Sequence, residues 1–201
     1  MPTNLHGFLR SRRSIRRFKP VPVNVDVLTR MLETAAHAPS AHNRQPWRFV
    51  VLTQPQPKTR LSDFLGAEFR RDLTADGLPD AEIESRIQRS RNRIMVSPVV
   101  IILCMDASEM DVYPDEKRSS AERTMAIQSV SAAGLQLQLA AHAEGLASVW
   151  TCGPLFSPGT VRAALDLPES WEPQAMFFIG YAVEEPKEKE LKPVDEVVRF
   201  L

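Results

Sequence analysis

Apolar residues recur along the chain in two rhythms, and the switches between them mark its elements. Between Asn24 and Pro39, the positions Leu28, Met31, Leu32, Ala35 and Ala36 fall on one face of a helix. Asn24 or Asp26 supplies a cap and Pro39 a stop, so the spacing predicts an amphipathic helix reaching about His37. Trp47 to Leu52 follows Pro46 and is rich in aromatic and β-branched residues, which predicts a strand. Val99 to Met105 is an unbroken apolar run led by a proline, as expected of a strand covered on both faces at the centre of a sheet. Further strands are predicted over Ala147 to Thr151 and Gln174 to Val183, and short helices over Leu5 to Ser11 and Pro158 to Leu165. Ser119 to Glu144 carries the longest helical pattern. Its small residues Ala126, Ser129, Ser131, Ala132, Ala133 and Gly134 suit a core or interface helix, with Gly145 as its cap.

Residues 58–97 differ from their surroundings. Two charged helical patterns, Lys58 to about Leu73 and Asp80 to about Met95, flank the turn Asp76-Gly77-Leu78-Pro79, a helical excursion or lid over a site. The tail beyond Glu184 is a charge run ending in Val194, Val197, Val198, Phe200 and Leu201, a candidate C-terminal arm over 184–201. With no internal repeat, one domain over 1–201 is expected, and helices and strands mixed without strict alternation favour an α+β fold.

Composition then narrows the function. The 25 Lys and Arg balance the 25 Asp and Glu, which gives no general pull toward nucleic acid or an anionic membrane. No apolar run approaches the roughly 20 residues of a membrane-spanning helix, and Met1 to Gly7 lacks a secretory core, so a cytoplasmic location is expected. No G-x-G-x-x-G, P-loop, G-x-S-x-G, H-E-x-x-H or C-x-x-C occurs, which sets aside a built-in dinucleotide fold, an NTPase, a serine hydrolase and metal chemistry.

Two constellations remain. Arg12-Arg13-Ser14-Ile15-Arg16-Arg17-Phe18 gathers guanidinium forks and a hydroxyl at a helix end, either a phosphate grip or a solvated basic patch. Ala38-Pro39-Ser40-Ala41-His42-Asn43-Arg44-Gln45-Pro46-Trp47 is a proline-stiffened loop, either a plain turn or a set of amides and hydroxyls able to read a heterocycle's edge. Arg86, Arg89, Arg91 and Arg93 give the second charged helix a basic side, which suits an anionic substrate or simply a solvated face with Glu82 pairing to Arg86. Tyr113 and His42 are each able to donate a proton or to pack as structural residues.

Read together and in order, R-R-S-I-R-R-F, P-V-P, A-P-S-A-H-N-R-Q-P-W, A-A-H-A-E-G-L-A-S-V-W (Ala140 to Trp150) and I-G-Y (Ile179 to Tyr181) resemble the flavin-dependent nitroreductase family over nearly the whole chain. The resemblance implies an α+β fold with a central mixed or antiparallel sheet, a long central helix, and a homodimer holding FMN at its interface. It places Arg12, Arg13, Ser14 and Arg16 on the FMN phosphate and ribityl chain, Pro39, Ser40, Ala41, Asn43 and Gln45 on the flavin of the partner, and the backbone of Cys152 and Gly153 on the ring. Leu191 stands where relatives commonly carry a basic residue, so a second phosphate contact falls to Lys189 or Lys192 or is lost.

The middle segments F-R-R-D-L-T-A-D-G-L-P, R-S-R-N-R-I, Y-P-D-E-K-R and G-P-L-F-S-P are similar to the C-terminal flavin domain of the γ-glutamyl ligase of deazaflavin-coenzyme biosynthesis. The nitroreductase resemblance implies ping-pong hydride transfer from NAD(P)H or a deazaflavin to a conjugated C=C, nitro or quinone acceptor, and the middle segments make a dehydro precursor of the coenzyme the sharper expectation. His42, Arg86, Arg89, Arg93 and Tyr113 are the substrate-side candidates. Two other readings are an FMN-storing protein with little turnover and a flavin-fragmenting synthase of a cobalamin ligand.

Overall fold

The computed structural model describes residues 4–184 and 189–201, so the first three residues of the N-terminal stretch and the middle of the charged tail lie outside the described residues. Four antiparallel strands form one sheet in the order β1-β2-β4-β3, with β1 over Trp47–Leu52, β2 over Val99–Asp106, β3 over Ala147–Thr151 and β4 over Trp171–Gly180. Every residue of β2 is buried, as its unbroken apolar run requires. Its alternate side chains split between two cores. Val99, Ile101, Leu103 and Met105 pack with helices α2 (Val25–Ala36) and α5 (Glu116–Ala143), while Val100, Ile102 and Cys104 pack with α3 (Pro55–Ala75), α4 (Asp80–Val96) and α7 (Pro158–Leu165). The result is a helix–sheet–helix sandwich. Burial pushes the Cys104 thiol up to about 12, against the opposing pull of the Arg162 charge.

Three element starts fall outside the predicted spans, each for a local reason, and β4 ends at Gly180, short of the predicted Val183. Helix α3 starts at Pro55 instead of Lys58, because a first turn has no intrahelical use for the N–H that proline lacks. Helix α5 starts at Glu116 instead of Ser119, because the Asp115 carboxylate caps it by accepting from Arg118 N at 2.9 Å. Strand β4 starts at Trp171 instead of Gln174. The ladder slips between Leu103 and Cys104, and this irregularity lets Pro173 enter an inner strand.

The 58–97 segment is a helical hairpin whose turn uses Gly77 at φ +75°. Leu61 and Ile94 are fully buried under it, so the hairpin is the outer layer of the sandwich. Helix α5 is buried on the sheet side, while Ile127 and Leu135 leave an apolar stripe exposed on its other side. Gly145 follows α5 at φ +73°, the left-handed position that ends a helix. Two short helices complete the order, α1 over Leu5–Ser11 and α6 over Gly153–Phe156, with α8 over Val194–Val197 in the tail. No described helix is long and apolar enough to cross a membrane.

Candidate functional site

The arginine-rich segment leaves α1 and runs beside β3. Ile15 N donates to Ser148 O at 3.1 Å, Lys19 N donates to Tyr181 O at 2.8 Å, and Ser14 and Phe18 form isolated bridges to Ser148 and Ala182. These bonds fix the backbone that carries the guanidinium groups. Arg12 Nη1 is buried without a hydrogen-bond partner among the described residues. Arg13 Nη1 donates to Arg12 O at 3.0 Å and also to Arg10 O, so this side chain braces the end of α1. Arg16 is exposed, with no ion-pair or hydrogen-bond partner among the described residues, whereas Arg17 pairs with Glu184 at 3.7 Å.

Under the corner lies His142 of α5. Its ring stacks on Phe8 with centroids 4.8 Å apart, and its Nε2 is 2.7 Å from Ser11 Oγ. Burial, and then the Arg12 charge, hold its pKa below the ordinary histidine value. The corner therefore sets cationic forks beside an imidazole whose protonation is disfavoured, an arrangement able to take an anion. The unsatisfied Arg12 nitrogen fits a phosphate group, because a buried cationic nitrogen without an acceptor is costly to leave alone.

The loop between α2 and β1 is strained. His42, Asn43 and Gln45 all adopt positive φ, at 51°, 55° and 51°, which costs of order 1 kcal/mol or more per residue for a side chain with a Cβ. Hydrogen bonds hold the strain in place. Ser40 Oγ accepts from Gln45 N at 3.1 Å, Ser129 Oγ of α5 accepts from Ala41 N at 3.1 Å, and Gln45 Nε2 donates to Asn43 Oδ1 at 3.2 Å. Arg44 pairs with Asp111, whose own backbone N–H donates to the buried Glu122 at 3.2 Å. Arg48 Nη1 reaches back to Gln45 O at 3.1 Å, while its Nη2 lies 3.2 Å from Asp106 and 2.6 Å from Glu109. Sequence reasoning named the loop but missed Ser129, Asp111 and Arg48, which support it. The serine was legible only as a small residue in a packing helix.

At the end of β3, Trp150 Nε1 donates to Cys152 Sγ at 3.2 Å. Gly153 follows with open space where a side chain would project. Lys189 and Lys192 are exposed beyond the undescribed 185–188. The substrate-side candidates fall in three places. His42 lies in the strained loop, and Tyr113 lines a cavity of about 220 Å³ with Met105, Met110 and Glu122, its ring under Arg118 at 5.0 Å. Arg86, Arg89 and Arg93 line a separate cleft with Gly153, whereas Arg91 pairs with Asp63 of α3.

A model of the nitroreductase family matches residues 9–181, most of the chain. The chain belongs to that family. Among relatives, a Thermus thermophilus NADH dehydrogenase is 30% identical over 211 residues, covering 93% of this chain and 91% of its own. A 5,6-dimethylbenzimidazole synthase of Rhodospirillum rubrum is 30% identical over 197 residues, covering 94% and 86%. A Desulfovibrio desulfuricans protein solved in complex with FMN superposes with a TM-score of 0.73 at 23% identity, covering 98% and 96%. At that identity the structural likeness speaks for the shared nitroreductase fold alone.

Proposed function

We propose that this nitroreductase-family chain is an FMN-dependent oxidoreductase that works as a homodimer by ping-pong hydride transfer. The observation that carries the reading is the buried Arg12 Nη1, a cationic nitrogen with no acceptor among the described residues, at the head of a corner whose Arg16 also has no partner among them. Arg12, Arg13, Ser14 and Arg16 would hold the phosphate and ribityl chain, with Lys189 or Lys192 as the second cationic contact. The Cys152–Gly153 backbone would lie against the ring. Pro39, Ser40, Ala41, Asn43 and Gln45 would reach in from the partner chain. When bound, FMN supplies reversible two-electron hydride acceptance.

The residues do the remaining work. Forks at the corner neutralise the anion and fix its register, the strained loop presents its amides in one geometry, and the open side of Gly153 admits a planar group. A partner chain also accounts for the exposed Ile127 and Leu135 stripe on α5 and for the exposed apolar tail of Val194, Val197, Val198, Phe200 and Leu201. The donor is NAD(P)H or a reduced deazaflavin, and the acceptor a conjugated C=C, nitro or quinone group. A dehydro precursor of the deazaflavin coenzyme is the sharpest reading of the middle segments, and the cytoplasm the expected site of action.

Anaerobic mixing of the yellow protein with NADPH, NADH or reduced deazaflavin tests this. Bleaching of flavin absorbance that returns on adding menadione, with parallel double-reciprocal plots, is expected. No bleaching with any donor would leave an FMN-storing protein. The Rhodospirillum rubrum relative favours a second reading, flavin fragmentation. Net loss of FMN under oxygen, with release of a benzimidazole, would replace recycling by that chemistry.

A further inference from the structure

The cleft that holds Arg86, Arg89 and Arg93 lies on the α3, α4 and α7 side of the sheet, whereas the loop and His142 lie on the α2 and α5 side. Its volume is about 470 Å³, within the range for a single small ligand. Leu65, Phe69, Leu73, Phe156 and Met176 give it an apolar lining. Phe156 is 84% exposed at the end of a short helix that contains Pro154 and is followed by Pro158, an unusual cost for a phenylalanine unless something covers it.

The charged rim is selective. Arg86, Arg89 and Arg93 are spaced along one face of α4, and they differ in what they already hold. Arg86 is committed to Glu82, at 2.5 Å and 3.1 Å, and Arg89 reaches only the Ser85 hydroxyl, at 2.5 Å. The Arg93 guanidinium has no ion-pair or hydrogen-bond partner among the described residues, and its carbonyl accepts from Ser97 Oγ at 2.7 Å. Two guanidinium groups thus remain able to take an anion, and a planar fork matches a carboxylate in two parallel hydrogen bonds. Asp72 of α3 and Asp76 at its C-terminal cap line the cleft and disfavour a second negative charge.

From this arrangement we infer that the cleft is a second binding site for an aromatic monocarboxylate, away from the arginine corner and the strained loop and sharing only Gly153 with the residues expected at the flavin. The ring lies on Phe156 and Phe69, and the carboxylate pairs with Arg89 and Arg93. Gly153 lines the same cleft, so the bound ring sits against the helix that continues from β3.

The test uses the full-length, FMN-loaded protein with 2-naphthoate and its uncharged counterpart 2-naphthol, titrated by fluorescence and calorimetry. One 2-naphthoate per chain is expected, with 2-naphthol binding at least about tenfold more weakly. The double variant R89Q/R93Q is expected to weaken 2-naphthoate by about tenfold or more and leave 2-naphthol unchanged, and R89K/R93K to recover part of the loss. Equal affinity of the two probes, or an R89Q/R93Q variant that binds 2-naphthoate like the parent, would overturn the inference. Flavin content and donor-driven bleaching are read on the same samples. Loss of bleaching with arginine-dependent binding intact strikes the oxidoreductase reading alone, and the reverse strikes only this site.

Discussion

A Cβ built on Gly134 would stand 2.5 Å from Trp150 Cζ3, so α5 and β3 meet through a contact that only glycine permits. Trp150 in turn donates to Cys152, which links the packing of the long helix to the strand end expected to face the flavin. Alanine ordinarily stabilises a helix interior over glycine by about 0.5–1 kcal/mol. Here the sign should reverse. Gly134→Ala is expected to cost about 1–3 kcal/mol in urea unfolding, the range for an overpacked core, and to shift the tryptophan emission of the native state.

Ser129 should matter more to FMN than to the fold. Its hydroxyl accepts from Ala41 N, at the start of a loop with three strained residues. Ser129→Ala is expected to lower stability by about 1–2 kcal/mol, as for a lost bond to a partly buried amide. FMN retention on gel filtration should fall alongside, and Ser129→Thr, which keeps the hydroxyl, should restore it.

The sandwich was legible because its strands carry their burial in the sequence. The continuous run at Val99 to Met105 and the alternation within it between two cores leave little freedom. Boundaries were lost where one polar side chain or a slipped register decided them, as at Asp115 and Pro173. The Pro39–Trp47 loop was legible by composition, but its supports were not. Ser129, Asp111 and Arg48 come from distant segments, and no local pattern announces them. The four arginines of α4 looked alike in sequence. Only packing showed that Arg91 turns to Asp63 while Arg93 lines a cleft.

The pH dependence of stability should carry the signature of His142. Its folded pKa is lowered, so the unfolded chain binds the proton more readily. Stability is then complete above the ordinary histidine value of about 6.5 and declines as pH falls below it. Urea midpoints at pH 7.5 and 5.5 should show this loss in the FMN-free protein and a smaller loss in His142→Gln. Added FMN should flatten the slope, since a phosphate beside Arg12 offsets the charge that disfavours the imidazolium.

The two cysteines should separate cleanly by reagent. Cys104 is buried with its thiol pushed up to about 12, whereas Cys152 is exposed. Iodoacetamide on the native protein is expected to label Cys152 alone, with Cys104 reacting only in denaturant. Saturating FMN should slow labelling at Cys152, as mass spectrometry of the tryptic peptides would show.

The shared site can be tested by mixing two defective chains. Arg12→Ala/Arg16→Ala removes the corner, and Asn43→Ala/Gln45→Ala removes the loop amides, so each variant alone should purify without flavin. If every site takes its corner from one chain and its loop from the other, dissociated and reassociated mixtures contain heterodimers with one intact site. One FMN per heterodimer is expected, measured by absorbance after affinity selection for two different tags. A heterodimer as colourless as its parents would contradict it.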